Sequence, residues 1–304
     1  MTVTHPDLAL SDRPFGAGTP VTTRTLDIDG VAMTARLAQA REPRAVILAL
    51  HGGATTSAYF DCPGHPRLSL LRTGPALGYT VLALDRPGYG ESHPAAATLT
   101  DPQRIVDLIY AATERHLESV PRGAGIFLMA HSAGGPHAVR VAADPRGAEF
   151  LGLELAGTGR EHQAEAARVL GTHERADPDA VRALLWQPSW LYPPELLGGA
   201  PIAAATPRYE SSVLRSWPDR DFPELAARVG VPVHYSVGEY ENVWRNDDDA
   251  LTAITGLFSA APRVHAERLP GSGHNLSLGY SATAYHLRVL TFAEECCLAR
   301  RGAH

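Results

Sequence analysis

Four short runs constrain this chain most: "AVILAL" (45–50), "TVLALD" (80–85), "GIFLMA" (125–130) and "FLGLEL" (150–155) are apolar at nearly every position. A strand with one wet face alternates polar and apolar residues, whereas a run without alternation is covered on both faces, as in a parallel sheet. The segments between the runs carry helical periodicity. "DPQRIVDLIYAATERHLESV" (101–120) is one, opening on Asp101 as N-cap with Pro102 at the first helical position. Upstream, "TRTLDIDGVAMTARLAQA" (24–40) alternates around Asp29-Gly30 and reads as a hairpin. A hairpin followed by a strand–helix rhythm predicts a doubly wound α/β sheet.

The rhythm stops after residue 156. From Gly157 to about Pro223 no strand pattern is visible. That stretch holds "HQAEAARVLG" and "PDAVRALLWQ", a loop-rich piece with Pro188, Pro193, Pro194, Pro201 and Pro207, and Trp186, Trp190 and Trp217. The rhythm resumes with "VPVHYSVG" (231–238) as strand, "DDDALTAITGLF" (247–258) as helix, "RVHAERLP" (263–270) as strand and a last helix over 281–299. The expected organisation is therefore a core of residues 1–156 and 224–304, with a mainly helical lid, 157–223, inserted after the sixth strand.

Composition excludes several classes of function. The formal net charge is −6, which offers no attraction for nucleic acid or an anionic membrane. All 27 basic residues are arginines, and without lysine there is no Schiff base and no lysine-anchored pyridoxal cofactor. Cys62, Cys296 and Cys297 have neither metal-ligand nor disulfide spacing, and the adjacent pair reads as packing in the last helix. "MTVTHPDLALSDRPFG" lacks the basic start and apolar run of a secretion signal, and no apolar stretch reaches the roughly 18 residues that span a bilayer. A cytoplasmic protein acting on a small molecule, with no nucleic-acid or membrane partner, is expected; oligomeric state is not legible.

Four loops at the ends of the core strands carry distinctive residues: "HGGATTS" (51–57), "DRPGYGES" (85–92), "AHSAGG" (130–135) and, after the last strand, "GSGHNLS" (271–277). In open α/β sheets ligands bind at the carboxyl ends of the strands, so the four loops should converge. A serine among small residues between a strand and a helix is the pattern of a strained turn that presents a nucleophile.

These motifs together resemble the α/β-hydrolase superfamily, in its lidded serine esterase-like branch, over essentially residues 22–300. The elbow pattern G-x-S-x-G is met with one departure, Ala130 in place of the first glycine. The resemblance implies an α/β-hydrolase fold, a mostly parallel central sheet flanked by helices. It implies Ser132 as nucleophile, with His274 as the base that takes its proton and returns it to the leaving group. His131, in the variable position beside the nucleophile, and His137, inside the following helix where packing is the better reading, are weaker candidates for the base. The acid of the family follows a strand at G-x-x-D, and "GEYE" places Glu241 there. Glu154, a carboxylate inside an apolar strand that needs a partner to be buried, is the alternative acid, and Glu239 is a third. Backbone N–H groups of Gly53 and Ala133 would form the oxyanion hole. Asp85 and Arg86 read as braces of their loop.

Phe60, Trp186, Trp190, Tyr192 and Tyr240 are the expected substrate-binding residues, with Tyr209 and Trp217 as further lid aromatics. Arg160 and His162 lie where lid meets site. Hydrolysis of a carboxylic ester, thioester or lactone of a bulky or aromatic small molecule through an acyl-enzyme is the first reading, with no metal or organic cofactor implied. The alternative uses the same site for epoxide-opening, lyase or acyl-transfer chemistry in tailoring a secondary metabolite. A non-catalytic binding protein is the remote third.

Overall fold

The computed structural model describes residues 19–170 and 177–302. The N-terminal stretch read for a secretion signal, and residues 171–176 of the insertion, lie outside the described residues. The hairpin forms as β1 (Val21–Ile28) and β2 (Val31–Ala38), turning at Asp29-Gly30, both with positive φ. Then follow β3 (Ala45–Leu50), α1 (Leu70–Ala76), β4 (Tyr79–Leu84), α2 (Pro102–His116), β5 (Ile126–His131), α3 (Gly135–Ala143) and β6 (Leu153–Ala156). Asp101 caps α2 as expected, its side chain accepting the Gln103 N–H at 2.9 Å.

Between β6 and β7 (Val233–Tyr240) lie α4 (Ala164–Leu170), α5 (Pro178–Trp186), α6 (Glu210–Ser216) and α7 (Phe222–Ala226). Short 3-10 turns at Ser189–Leu191, Pro194–Leu196 and Ala200–Ile202 join α5 to α6. Proline density explains the broken form, since each ring removes an N–H donor and halts helix growth. The chain closes with α8 (Asp248–Thr255), β8 (Val264–Gly273) and α9 (Ala282–Gly302). Cys296 and Cys297 are buried, unpaired thiols in α9. Among the described residues no helix is long and apolar enough to cross a membrane.

The eight strands form one sheet in the order β1-β2-β4-β3-β5-β6-β7-β8, antiparallel where β2 meets β1 and β4, and parallel from β4 to β8. Side chains alternate between two cores. Val46, Leu48, Leu50, Leu128 and Leu155 pack with α2, α3 and α7, while Ile47, Ala49, Phe127 and Met129 pack on the other face with α1 and α9. Both faces are covered, which is why these strands read as unbroken apolar runs. β3 has β4 on one side and β5 on the other, so the chain reverses its winding there, and the crevice at the β3 and β5 carboxyl ends is a topological switch point.

Glu154 breaks the apolar pattern of β6, and its environment accounts for it. It has no exposed surface; its carboxylate accepts from His234 Nδ1 at 2.5 Å and from the Tyr285 hydroxyl at 3.1 Å. His234 Nε2 lies 3.0 Å from Glu267, which also pairs with Arg288. Burial works against the charge on His234, but Glu154 and then Glu267 outweigh it and raise its pKa to about 10. The proton-linked stability is therefore fully present below the unfolded value of about 6.5 and is lost as pH rises through about 10. Glu154→Gln is expected to lower stability by about 3 kcal/mol near neutrality, because a buried imidazolium loses the nearer of its two carboxylate partners. Urea unfolding of both proteins between about pH 6 and 10 checks this: the gap between them should shrink as His234 loses its proton. A constant gap would refute the assignment.

Candidate active site

The backbone at Ser132 has φ 51°, in the left-handed region that a side chain rarely adopts. The neighbours have to be small for this bend to sit against β3. A β-carbon on Gly134 would lie 2.6 Å from the His51 carbonyl oxygen and 2.7 Å from that of Leu50. One on Gly135 would lie 2.9 Å from Thr158, and one on Gly52 would lie 2.9 Å from His131 Nδ1 and 3.3 Å from Ser132 Cβ. Gly52 and Gly134 thus serve one close contact between the two loops, while Gly135 makes room for Thr158 after β6. Ala130, in the place of the family's first glycine, is buried inside the sheet without conflict. Ser132 itself stays partly accessible.

The last register pair of β7 with β8 is Tyr240 with Gly273, across an irregularity after Gly238. Each strand's next residue is then a neighbour of the other's: Glu241 and His274. β8 runs through Gly273 rather than ending at 270, and that extension carries the histidine to the carboxylate. His274 Nδ1 lies 2.9 and 3.0 Å from the two Glu241 oxygens, and Nε2 lies 3.0 Å from Ser132 Oγ. Glu241 also accepts the Val243 N–H at 2.8 Å, which fixes its rotamer. With Nδ1 donating to the carboxylate, Nε2 presents its lone pair to the serine hydroxyl, the tautomer a general base requires.

Of the three carboxylates considered from sequence, Glu241 is the one brought to His274. Glu154 is occupied by His234 and Tyr285, and Glu239 is exposed, accepting the Gly271 N–H at 2.8 Å. His131 is turned away from Ser132. Its Nε2 donates to the His274 carbonyl at 2.8 Å and its ring stacks on Tyr59 at 4.5 Å. Burial, with the neighbouring His274, pushes its pKa well down, so the ring is neutral and acts as a strut for the histidine loop. His137, also buried, packs edge-on to Tyr209.

The expected substrate-binding residues divide. Trp186 and Tyr192 meet edge-on at 5.2 Å, and the Tyr192 hydroxyl accepts the Asn275 N–H at 3.2 Å, one residue from His274. Trp190 is 60% exposed and meets Tyr240 edge-on at 5.3 Å. Phe60 has no exposed surface; it packs edge-on against Tyr59 in the α1–α9 core, because the 3-10 turn Ser57–Phe60 buries all four of its residues. Trp217 is likewise core, stacked on Phe222 at 4.3 Å. Arg160 donates to the Pro218 carbonyl, and His162 stacks on Trp244 at 4.3 Å.

Gly53 and Ala133 face each other across the crevice: a β-carbon on Gly53 would lie 3.5 Å from that of Ala133. Sequence reasoning missed what lies beneath them. Arg86 is wholly buried, with Nη2 donating to the Gly52 carbonyl at 2.8 Å and Nη1 to the Ala133 carbonyl at 3.2 Å. Its partner Glu210, 2.7 Å away, comes from α6. Nothing in the residue order signals that pairing.

Among the described residues, His234, His265 and Glu267 form a group with metal-ligand spacing, at the opposite end of β7 from Glu241. Both ring nitrogens of His234 face carboxylates there, Nδ1 toward Glu154 and Nε2 toward Glu267.

The sequence profile of the alpha/beta hydrolase family matches residues 46–284. No curated protein matches the chain. Among solved structures, a thermostable carboxyl esterase from Bacillus coagulans is similar at 17% identity, covering 92% of this chain and 100% of that one, with TM-score 0.65. An N-acyl homoserine lactonase variant complexed with N-hexanoyl homoserine is similar at 15% identity, 91% and 98% coverage and TM-score 0.65. The thioesterase domain of the curacin biosynthetic pathway is similar at 18% identity, 90% and 99% coverage and TM-score 0.57.

Proposed function

Because the chain belongs to the α/β-hydrolase family, we propose that it is a serine hydrolase cleaving a carboxylic ester, thioester or lactone of a bulky or aromatic small molecule. The observation that carries this reading is the continuous hydrogen-bonded chain Ser132–His274–Glu241 at the edge of the sheet beside Gly53 and Ala133. The esterase, lactonase and thioesterase it is similar to are named for compounds that share an acyl carbonyl. In this reading Ser132 Oγ bonds to that carbonyl carbon as its proton passes to His274 Nε2. The Gly53 and Ala133 N–H groups hold the oxyanion. The carbon–heteroatom bond then breaks, His274 protonates the leaving alcohol or thiol, and water repeats the sequence to release the acid. Residues 157–223 act as the cap, with Trp186 and Tyr192 beside the histidine loop and Trp190 and Tyr240 at the rim supplying aromatic surface for the acyl or leaving group.

A fluorophosphonate probe tests the reading. Ser132 displaces fluoride at phosphorus, and the expected result is one phosphonate per chain, on the peptide containing Ser132, with ester turnover falling in step. Absence of labelling, or labelling on another residue, overturns the proposal.

A further inference from the structure

A buried ion pair, Arg86 with Glu210, lies against the "HGG" loop. A trans peptide directs its carbonyl and the following N–H in opposite directions, so whatever holds the Gly52 carbonyl also aims the Gly53 N–H. Arg86 Nη2 and His51 Nδ1, each at 2.8 Å, hold that carbonyl, with the Thr55 hydroxyl a third and longer donor at 3.4 Å. His51 Nε2 accepts the Arg86 backbone N–H at 3.0 Å, so its proton sits on Nδ1, and burial, aided by the Arg86 charge, keeps the ring neutral. The next residue, Ala54, has φ 55° and donates its N–H to the Tyr89 hydroxyl at 3.2 Å.

One side chain holds both supports. Glu210 Oε2 lies 2.7 Å from Arg86 Nη2, and Glu210 Oε1 accepts the Tyr89 hydroxyl at 2.7 Å. The Arg86 guanidinium lies 4.6 Å over the Tyr89 ring. Glu210 is so close to the loop that a β-carbon on Gly53 would lie 3.0 Å from its Oε1. Burial, the largest influence on Arg86, opposes its charge, and Glu210 outweighs it. Tyr209, the preceding residue, donates its hydroxyl to the Pro87 carbonyl at 2.5 Å, which seats the start of α6 on the same loop.

We propose that Glu210 is a positioning residue for the oxyanion hole, delivered by the segment between β6 and β7, which orients the Gly52–Gly53 peptide through Arg86 and the Ala54 N–H through Tyr89. The inference rests on Ser132 being the nucleophile. It makes docking of the inserted segment a condition for a competent site: α6 supplies the carboxylate without which Arg86 is an unpaired buried charge and the Gly53 donor loses its aim. A charge-assisted bond to Gly52 also polarises that peptide and strengthens the N–H on its far side.

The test is the kinetics of fluorophosphonate reaction with the full chain, resolved into the maximal rate of phosphonylation and the concentration at half-saturation. Glu210→Gln is expected to lower the maximal rate about 100-fold, the size of losing one oxyanion donor. The half-saturating concentration should stay within about threefold, and the pH midpoint of labelling, set by the base and not by the donor, should be unchanged. Tyr89→Phe keeps every charge and the ring, and is expected to lower the same rate about tenfold through the looser Ala54 amide; it decides the matter if Glu210→Gln fails to fold. Glu154→Gln, destabilised elsewhere in the molecule, serves as the comparison and should label at the wild-type rate. Folded variants that label within threefold of wild type, or a rate loss shared by Glu154→Gln, overturn the role of Glu210 while leaving Ser132 in place. A wild-type protein that is not labelled on Ser132 overturns the underlying reading and this inference with it.

Discussion

Ser132→Ala is expected to lower kcat about 10⁶-fold on any acyl substrate the protein turns over, the scale seen when a triad nucleophile is removed elsewhere. The side chain contributes a single reacting atom, and none of its neighbours replaces it. His131 Nε2 is committed to the His274 carbonyl, and His51 is committed to Gly52 and Arg86. The loss should come without unfolding. Alanine keeps the β-carbon at φ 51° and gives up one hydrogen bond to His274, a change within about 1 kcal/mol. Ser132→Gly separates chemistry from strain further: it is expected to be equally inactive yet more stable by about 1 kcal/mol, because glycine adopts the left-handed region freely. Steady-state kinetics and thermal unfolding on the three proteins measure both quantities. Retention of activity within tenfold in Ser132→Ala would place the nucleophile elsewhere.

How much of this was legible in the residues varies with the range of the interaction. β3, β4 and β5 were readable because burial on both faces leaves an unbroken apolar run, a local signal. The loops of Ser132 and His274 were readable because each needs glycine, at Gly134 for close approach to β3 and at Gly271 for a positive φ, and that requirement is written next to them in sequence. The carboxylate was not settled by pattern, since three candidates sat on or beside suitable strands. What separates them is register: Tyr240 pairs with Gly273 across an irregularity, and Glu154 sits mid-strand with its side chain toward α9. The broken helices between β6 and β7 have no sustained period, so neither their course nor the delivery of Glu210 to Arg86 could be read. Phe60 was placed at the wrong depth for a similar reason: aromatic type is legible, while the direction of a 3-10 turn is not.

Glu241→Gln is expected to lower kcat by about 10⁴-fold with little change in KM, and Glu154→Gln to leave kcat unchanged. The two substitutions remove the same charge, so their difference isolates position. At 241, an amide in place of the carboxylate can turn its NH₂ toward His274 Nδ1 while its oxygen keeps the Val243 N–H. The histidine proton then moves to Nε2, which faces Ser132 as a donor when an acceptor is required; the equivalent exchange in a serine protease triad costs about 10⁴ in kcat. At 154 the carboxylate bonds His234 and Tyr285 and touches nothing in the crevice, so its removal is paid in stability instead. Glu241→Asp should fall between: the acceptor is retained, but the shorter side chain cannot reach His274 Nδ1 and the Val243 N–H at once. The measurement is kcat and KM for the three variants on one ester, alongside their urea midpoints. Equal and mild activity losses at 241 and 154 would remove Glu241 from the role of acid, because a carboxylate that sets a tautomer cannot be exchanged for an amide without consequence.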